Sequence, residues 1–189
     1  NIYFRRDRYK DAEEFQRSAR AHFESAGDLI QLTKIENSLA LTLSQQHLTK
    51  AAEQLYEQAL NRAIATGLKS TQAEIESSIG TLALYQGYYD RALDYLERSR
   101  RKYAELNLPH VLAMTEQEIA DAYLELNLAP EAIEIYKKVE ERFTRLGMHA
   151  DEARAFAYHG RAEIRLGNLI QAQQLLSRAR ELYLREGNE

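Results

Sequence analysis

Between residues 113 and 152, apolar side chains recur at helical spacing in two blocks. Ile119, Ala120, Tyr123 and Leu124 follow one another as a single helical face. That pattern stops near Asn127, a residue type that tolerates the left-handed conformation used at helix ends. Pro130 then falls in the first turn of a second block, where its missing N–H is no loss. Ala132, Ile135, Tyr136, Val139 and Phe143 form the second stripe, which ends at Gly147. The spacing predicts two antiparallel helices of about 16–18 residues joined by tight turns.

Small residues show that this pair is one unit of a tandem array. Ala12, Ala52, Ala92, Ala132 and Ala172 stand 40 residues apart. Gly27, Gly67, Asn107, Gly147 and Gly187 keep the same step, and so do Ala40, Gly80, Ala120 and Gly160. Three registers with one interval identify a repeat architecture, in which each unit contacts only its neighbours. The chain reads as a single array of about nine helices, with a partial repeat over 1–27 and full repeats over 28–67, 68–107, 108–147 and 148–187. The Ala40 column is expected where a first helix approaches its partner closely, and the Ala12 column plays the same part for the facing unit. Bulky residues fill the spaces between: Leu39, Ile79 and Ile119 on first helices, Leu55, Tyr95, Ile135 and Leu175 on second helices. Tyr3 shares a column with Leu43, Ala83, Tyr123 and Glu163, so a turn is expected at Asp7 to Tyr9, matching Gly87 to Tyr89 and Gly167 to Leu169. An opening in mid-repeat without Met points to a piece of a longer protein. The last helix carries Leu175, Leu176, Leu182 and Tyr183 with no further helix after it, so both ends are expected to expose apolar surface that can self-associate.

Composition narrows the function classes. Hydrophobic residues make up 44% of the 189, enough for a continuous core. Two prolines and eight glycines favour helix nearly everywhere. The net charge of −4, with both signs interspersed, argues against nucleic acid as a partner. Cysteine is absent, which excludes disulfides and thiolate chemistry and suits a reducing, cytoplasmic setting. No apolar run reaches the ~18–20 residues of a membrane span.

The order of small and aromatic positions resembles the tetratricopeptide repeat (TPR) family. Ala120, Tyr123, Ala132 and Tyr136 fit that order in the third full unit, and Gly160, Ala172 and Ala179 in the last. The resemblance covers essentially the whole chain and implies an all-α, right-handed superhelical solenoid of helix pairs. Two departures stand out: the step is 40 rather than the usual ~34, and the proline that closes the family's second helix is missing from most units. The longer variety looks like arrays in bacterial signalling proteins, beside protease-like, ATPase or transcription-factor domains.

The residues carry no catalytic constellation. His22, His47, His110, His149 and His159 are scattered, with no paired His and no HExxH, and His47 and His149 read as turn or first-turn residues. No phosphate-binding glycine loop, metal set or cofactor motif is present, and no enzyme activity or cofactor is expected. Most of the twelve tyrosines, among them Tyr56, Tyr95, Tyr103, Tyr123, Tyr136 and Tyr183, fall in packing columns.

The resemblance implies that first helices line a concave groove. The stripe facing it is Lys34, Asn37, Leu41, Ser44 and Gln45, then Glu74, Ser77, Thr81, Leu84 and Tyr85. It continues through Met114, Gln117, Asp121, Leu124 and Glu125 to Arg154, Tyr158, Arg161 and Arg165. Unlike the packing columns, these positions change from unit to unit, as selective recognition requires. The last four share one helical face and read in two ways. They form a basic, aromatic patch for a carboxylate or acidic peptide, or they pair internally as Asp121–Arg161 and Glu125–Arg165. The expected function is a non-enzymatic scaffold that binds a peptide or protein segment in its groove. The alternative is a ligand-responsive regulatory domain of a larger bacterial signalling protein.

Overall fold

The computed structural model describes residues 2–185 and 187, with side chains from residue 8 onward. Nine helices follow in order among the described residues: α1 (Ile2–Ala26), α2 (Leu29–Gln45), α3 (Thr49–Ala65), α4 (Lys69–Tyr85), α5 (Tyr89–Glu105), α6 (Pro109–Glu125), α7 (Ala129–Leu146), α8 (His149–Arg165) and α9 (Leu169–Arg185). They fall into two compact units, residues 1–86 and 87–189. In the first, α1 packs on α2, α2 on α3 and α3 on α4, and α2 also touches α4. In the second, each of α5 to α8 packs on the next, and α6 also touches α8. Within each unit no helix packs on one more than two places away, the contact pattern of stacked helix pairs.

The turns carry most of the regularity. A left-handed residue stands at positions 27, 47, 67, 87, 107, 127, 147, 167 and 187, so the backbone repeats every half-unit. Two of the chain bends show the bonding. The His47 N–H donates to the Ser44 carbonyl (2.9 Å) and the Leu48 N–H to the Leu43 carbonyl (2.9 Å). Asn127 and Leu128 repeat this on Leu124 (3.1 Å) and Tyr123 (2.9 Å). These are the paired bonds of a Schellman closure, which satisfy carbonyls left open at a helix end. Gly147 holds φ +68° there, which glycine adopts without the Cβ penalty of other residues. Leu48, Leu68, Leu108 and Leu128 follow the left-handed residue and begin the next helix without a side-chain cap. Asp28 is different, accepting from the Gln31 N–H at 3.0 Å.

The alanine column is the floor of the core. Ala52, Ala92 and Ala132 are fully buried and Ala172 nearly so. Gly160 is equally tight: a Cβ there would meet Leu176 Cγ at 3.0 Å, so α8 approaches α9 as the small column predicts. On α9 the expected Leu175 is the buried residue, but on α3, α5 and α7 the deepest bulky column lies one residue beyond the expected one. Tyr56, Leu96 and Tyr136 are at most 1% exposed, whereas Leu55, Tyr95 and Ile135 are only half-buried. A repeat column fixes which face turns inward; the one-residue offset depends on helix rotation, which apolar spacing leaves open by about 100°.

Two expectations need correction. No turn interrupts α1 at Asp7 to Tyr9; the helix runs through. A left-handed residue costs about 1–2 kcal/mol outside glycine and persists where tertiary packing imposes it. Here α1 packs against α2 alone among the described elements. The final helix does expose apolar residues on its open side, but only in part the ones expected. Leu175 and Leu182 are buried, and Leu169, Ile170, Leu176 and Leu184 are exposed, but Gln173, Gln174 and Ser177 lie exposed among them.

Polar pairs recur inside the stack. Glu36, fully buried, receives Arg20 Nε at 3.0 Å from α1 and the Arg62 guanidinium from α3. Glu116 and Arg142 stand at the same sequence separation as Glu36 and Arg62, with N···O 3.0 Å but out of line for a hydrogen bond. Burial raises the Glu116 pKa, with Arg142 offsetting part of the effect. These pairs tie first to second helices, and a buried carboxylate stripped of its partner is costly.

Candidate functional site

The predicted contact stripe lies on helices that are neighbours in space, α2 with α4 and α6 with α8. In the first unit Lys34, Leu41, Gln45 and Glu74 are exposed, and Tyr85 is 83% exposed. Ser44, Ser77, Thr81 and Leu84 are half-buried, and the Thr81 hydroxyl donates to the Ser77 carbonyl at 2.9 Å. Asn37 is different. Only 6% exposed, it donates from Nδ2 to Glu74 Oε1 at 2.9 Å, tying α2 to α4, while its Oδ1 has no hydrogen-bond partner. The phenol beneath this face, Tyr56, is pushed up to about 12 by burial.

In the second unit Gln117 occupies the column of Asn37. It too is 6% exposed, and its Oε1 likewise lacks a partner. Met114, Asp121 and Glu125 are half-buried around it. Leu124 does not belong to this face: it is 1% exposed and sits in a core with Ala132, Tyr136 and Ala162. It stands four residues after Ala120, so helical geometry carries it to the buried side.

The arginines of α8 are engaged. Arg154 Nη2 bonds the Asp151 carboxylate one turn before it. Arg165 bonds the Leu124 carbonyl and Glu125 Oε1, the latter at 3.0 Å, as the internal pairing predicts. Arg161 lies 3.8 Å from Glu125 and 5.4 Å above the Tyr158 ring, a cation–π distance. It does not pair with Asp121, which accepts instead from the Tyr136 hydroxyl. The second helix thus reaches Asp121 before the neighbouring first helix does. Burial raises the Asp121 carboxyl to about 6, with the Tyr136 bond and the Arg161 and Arg154 charges offsetting part of the effect. Three guanidinium groups therefore face Asp151, Glu125 and Asp121, and the face is close to charge-balanced rather than basic.

His47 sits in a turn at φ +62° and His149 opens α8, 3.3 Å from Glu152. Among the described residues no group of three or more His, Asp or Glu is placed to hold a metal ion, and no helix is long and apolar enough to cross a membrane.

One histidine departs from its scattered companions. His159 is 2% exposed, with Nδ1 2.8 Å from Glu140 and Nε2 3.4 Å from Glu163. Sequence reasoning passed over it, although the signal was present: its column holds Leu39, Ile79 and Ile119 in the other repeats.

No protein-family profile matches the chain, and no curated protein sequence does. Solved structures match well. BtubC (BKLC) from P. vanneervenii superposes with a TM-score of 0.85 at 18% identity, over 98% of this chain and 77% of that one. Aspartyl phosphate phosphatase F from Bacillus subtilis gives 0.85 at 14% identity over 93% of this chain, which spans only 46% of that protein. Nearly identical TPR-like repeats of a kinesin light chain-type protein of Podosopora anserina give 0.71 at 16% identity, over 96% and 97% of the two chains. The fold is therefore that of TPR-like helical repeats.

Proposed function

We propose that this chain is a non-enzymatic scaffold in which the exposed first-helix face of each unit, α2 with α4 and α6 with α8, receives a peptide or protein segment. The observation that carries this reading is the pair Asn37 and Gln117. Both are buried carboxamides in one repeat column, and each keeps a carbonyl oxygen without a protein partner. A buried unpaired acceptor costs on the order of 1–3 kcal/mol, and a main-chain N–H from a partner would recover it. The neutral charge balance of the α8 face favours a partner recognised through its backbone over one recognised through acidic side chains. Lys34, Leu41, Gln45, Ser77, Thr81, Tyr85 and Met114 would add contacts that set sequence preference.

Panning a random peptide library against the immobilised chain tests this. Asn37→Leu with Gln117→Leu should weaken the selected peptides roughly tenfold or more, the worth of one or two hydrogen bonds, in a chain that still melts cooperatively although the Asn37–Glu74 bond is lost. Equal binding by the double variant, or no enrichment at all, would refute the reading.

The chain spans less than half of the Bacillus subtilis phosphatase it resembles. That match supports a second reading, a regulatory module within a larger, cytoplasmic signalling protein. The full-length coding sequence decides it: an adjoining catalytic or DNA-binding domain supports the module, and its absence removes it. The exposed Leu169, Ile170 and Leu176 of α9 offer a further surface for self-association.

A further inference from the structure

The most unusual chemistry in the molecule lies inside the second unit, away from the contact face. Where α3 meets α4, three columns hold Leu60, Ile79 and Ala83, all buried. Two repeats later the same columns, on α7 and α8, hold Glu140, His159 and Glu163, again all buried. Three apolar positions have become ionisable together, and they meet. His159 Nδ1 lies 2.8 Å from Glu140 Oε1 across the helix pair, a hydrogen bond, and Nε2 lies 3.4 Å from Glu163 Oε1 on its own helix, within ion-pair range but out of line for a hydrogen bond. Glu163 Oε2 also accepts from Asn168 Nδ2 at 2.7 Å, at the turn into α9. Among the described residues His159 is the only cation paired with either carboxylate.

A neutral imidazole carries one N–H and one lone pair, so it can satisfy only one of two flanking carboxylates. The imidazolium carries an N–H on both nitrogens and a charge that both carboxylates can pair with. An ion pair in this setting holds only while every member is partnered; removing one charge leaves the others buried without compensation.

We propose that His159 is a proton-operated latch between α7 and α8. Charged, it bonds Glu140 across the helix pair, pairs with Glu163 on its own helix and holds α7 against α8. Neutral, it leaves one buried carboxylate facing a lone pair, and the packing of α7 on α8 loosens. The titratable groups facing the latch are Glu140, Tyr136 and, at longer range, Glu134 from α7, and Glu163 from α8. α6 brings Asp121 to the far end of Tyr136, and no charged side chain of α9 pairs with either carboxylate among the described residues. Tyr136 couples the latch to the contact face: its ring lies 6.4 Å from both His159 and Tyr158, stacked on each, and its hydroxyl bonds Asp121.

The test compares urea unfolding of the chain at pH 6 and pH 8, across the range in which imidazole changes charge. Asp121→Asn serves as the background, removing the other group that titrates nearby. The chain should be more stable at pH 6. A triple variant, Glu140→Leu, His159→Ile and Glu163→Ala, restores the residues found between α3 and α4; it should fold, lose most of that pH difference and match or exceed the parent at pH 8. In the unaltered chain, nitrogen-15 spectra of His159 at pH 6 should show both ring nitrogens protonated. A pH difference that survives the triple substitution, or a neutral His159 tautomer at pH 6, would overturn the latch.

Discussion

Asp121 shows how a single side chain can be drawn in two directions. Its place on α6 puts it in the predicted contact stripe, yet the Tyr136 hydroxyl from α7 claims its carboxylate. Burial raises its pKa to about 6 from an ordinary 3.8. The folded chain therefore binds this proton more tightly than the unfolded chain. Stability is highest below the unfolded value and falls as pH rises through the window from about 4 to about 6. Asp121→Asn keeps an acceptor for Tyr136 and removes the charge. Denaturant melts across that window should show a flatter pH profile and a more stable variant at pH 7; an unchanged slope would mean that Asp121 is not the group responsible. Residue pairs of this kind were only partly legible in the sequence. Glu125–Arg165 follows from columns one repeat apart, and Glu36–Arg62 and Glu116–Arg142 share a spacing that repetition makes visible. That Tyr136 would outcompete Arg161 for Asp121 depends on how far each helix is rotated, which periodicity does not specify.

At the scale of the element, helices and turns were readable almost to their ends. Asn127, Gly147 and Pro130 mark boundaries because each has a backbone reason to be there: left-handed dihedrals for the first two, a missing donor for the third. The failed turn at Asp7 to Tyr9 carries the complementary lesson: a column position bends only where a neighbouring helix makes it bend. Gly160 gives the sharpest check on the packing. A methyl there would press on Leu176, whose side chain is 39% exposed and free to shift by a few tenths of an ångström. Alanine also favours helix over glycine by roughly 1 kcal/mol. Gly160→Ala should therefore be neutral or mildly stabilising, whereas Gly160→Leu should lose about 1–3 kcal/mol or more through overpacking. Thermal melts of the two variants separate a tight helix contact from an indifferent one. Equal effects would mean that α8 and α9 are not held apart by side-chain size at this point.

Across the whole molecule, function was less legible than fold, and the reason is physical. Packing columns must repeat, because every helix meets the same kind of neighbour; contact positions need not, because a partner differs along its length. The small-residue registers therefore stand out, while Lys34, Thr81, Gln117 and Tyr158 look like ordinary surface. The feature on which the proposed contact surfaces rest is seen only in three dimensions: a carboxamide on α2 and another on α6, each buried with an acceptor to spare. The proposed function places the partner on the first-helix face of each unit. Amide chemical-shift mapping with the tightest peptide from the library tests it most directly. Perturbations should concentrate on α2 and α4, on α6 and α8, or on both pairs, with the Asn37 or Gln117 side-chain amide among those that move. Shifts confined to α3, α5, α7 or the open side of α9 would contradict it.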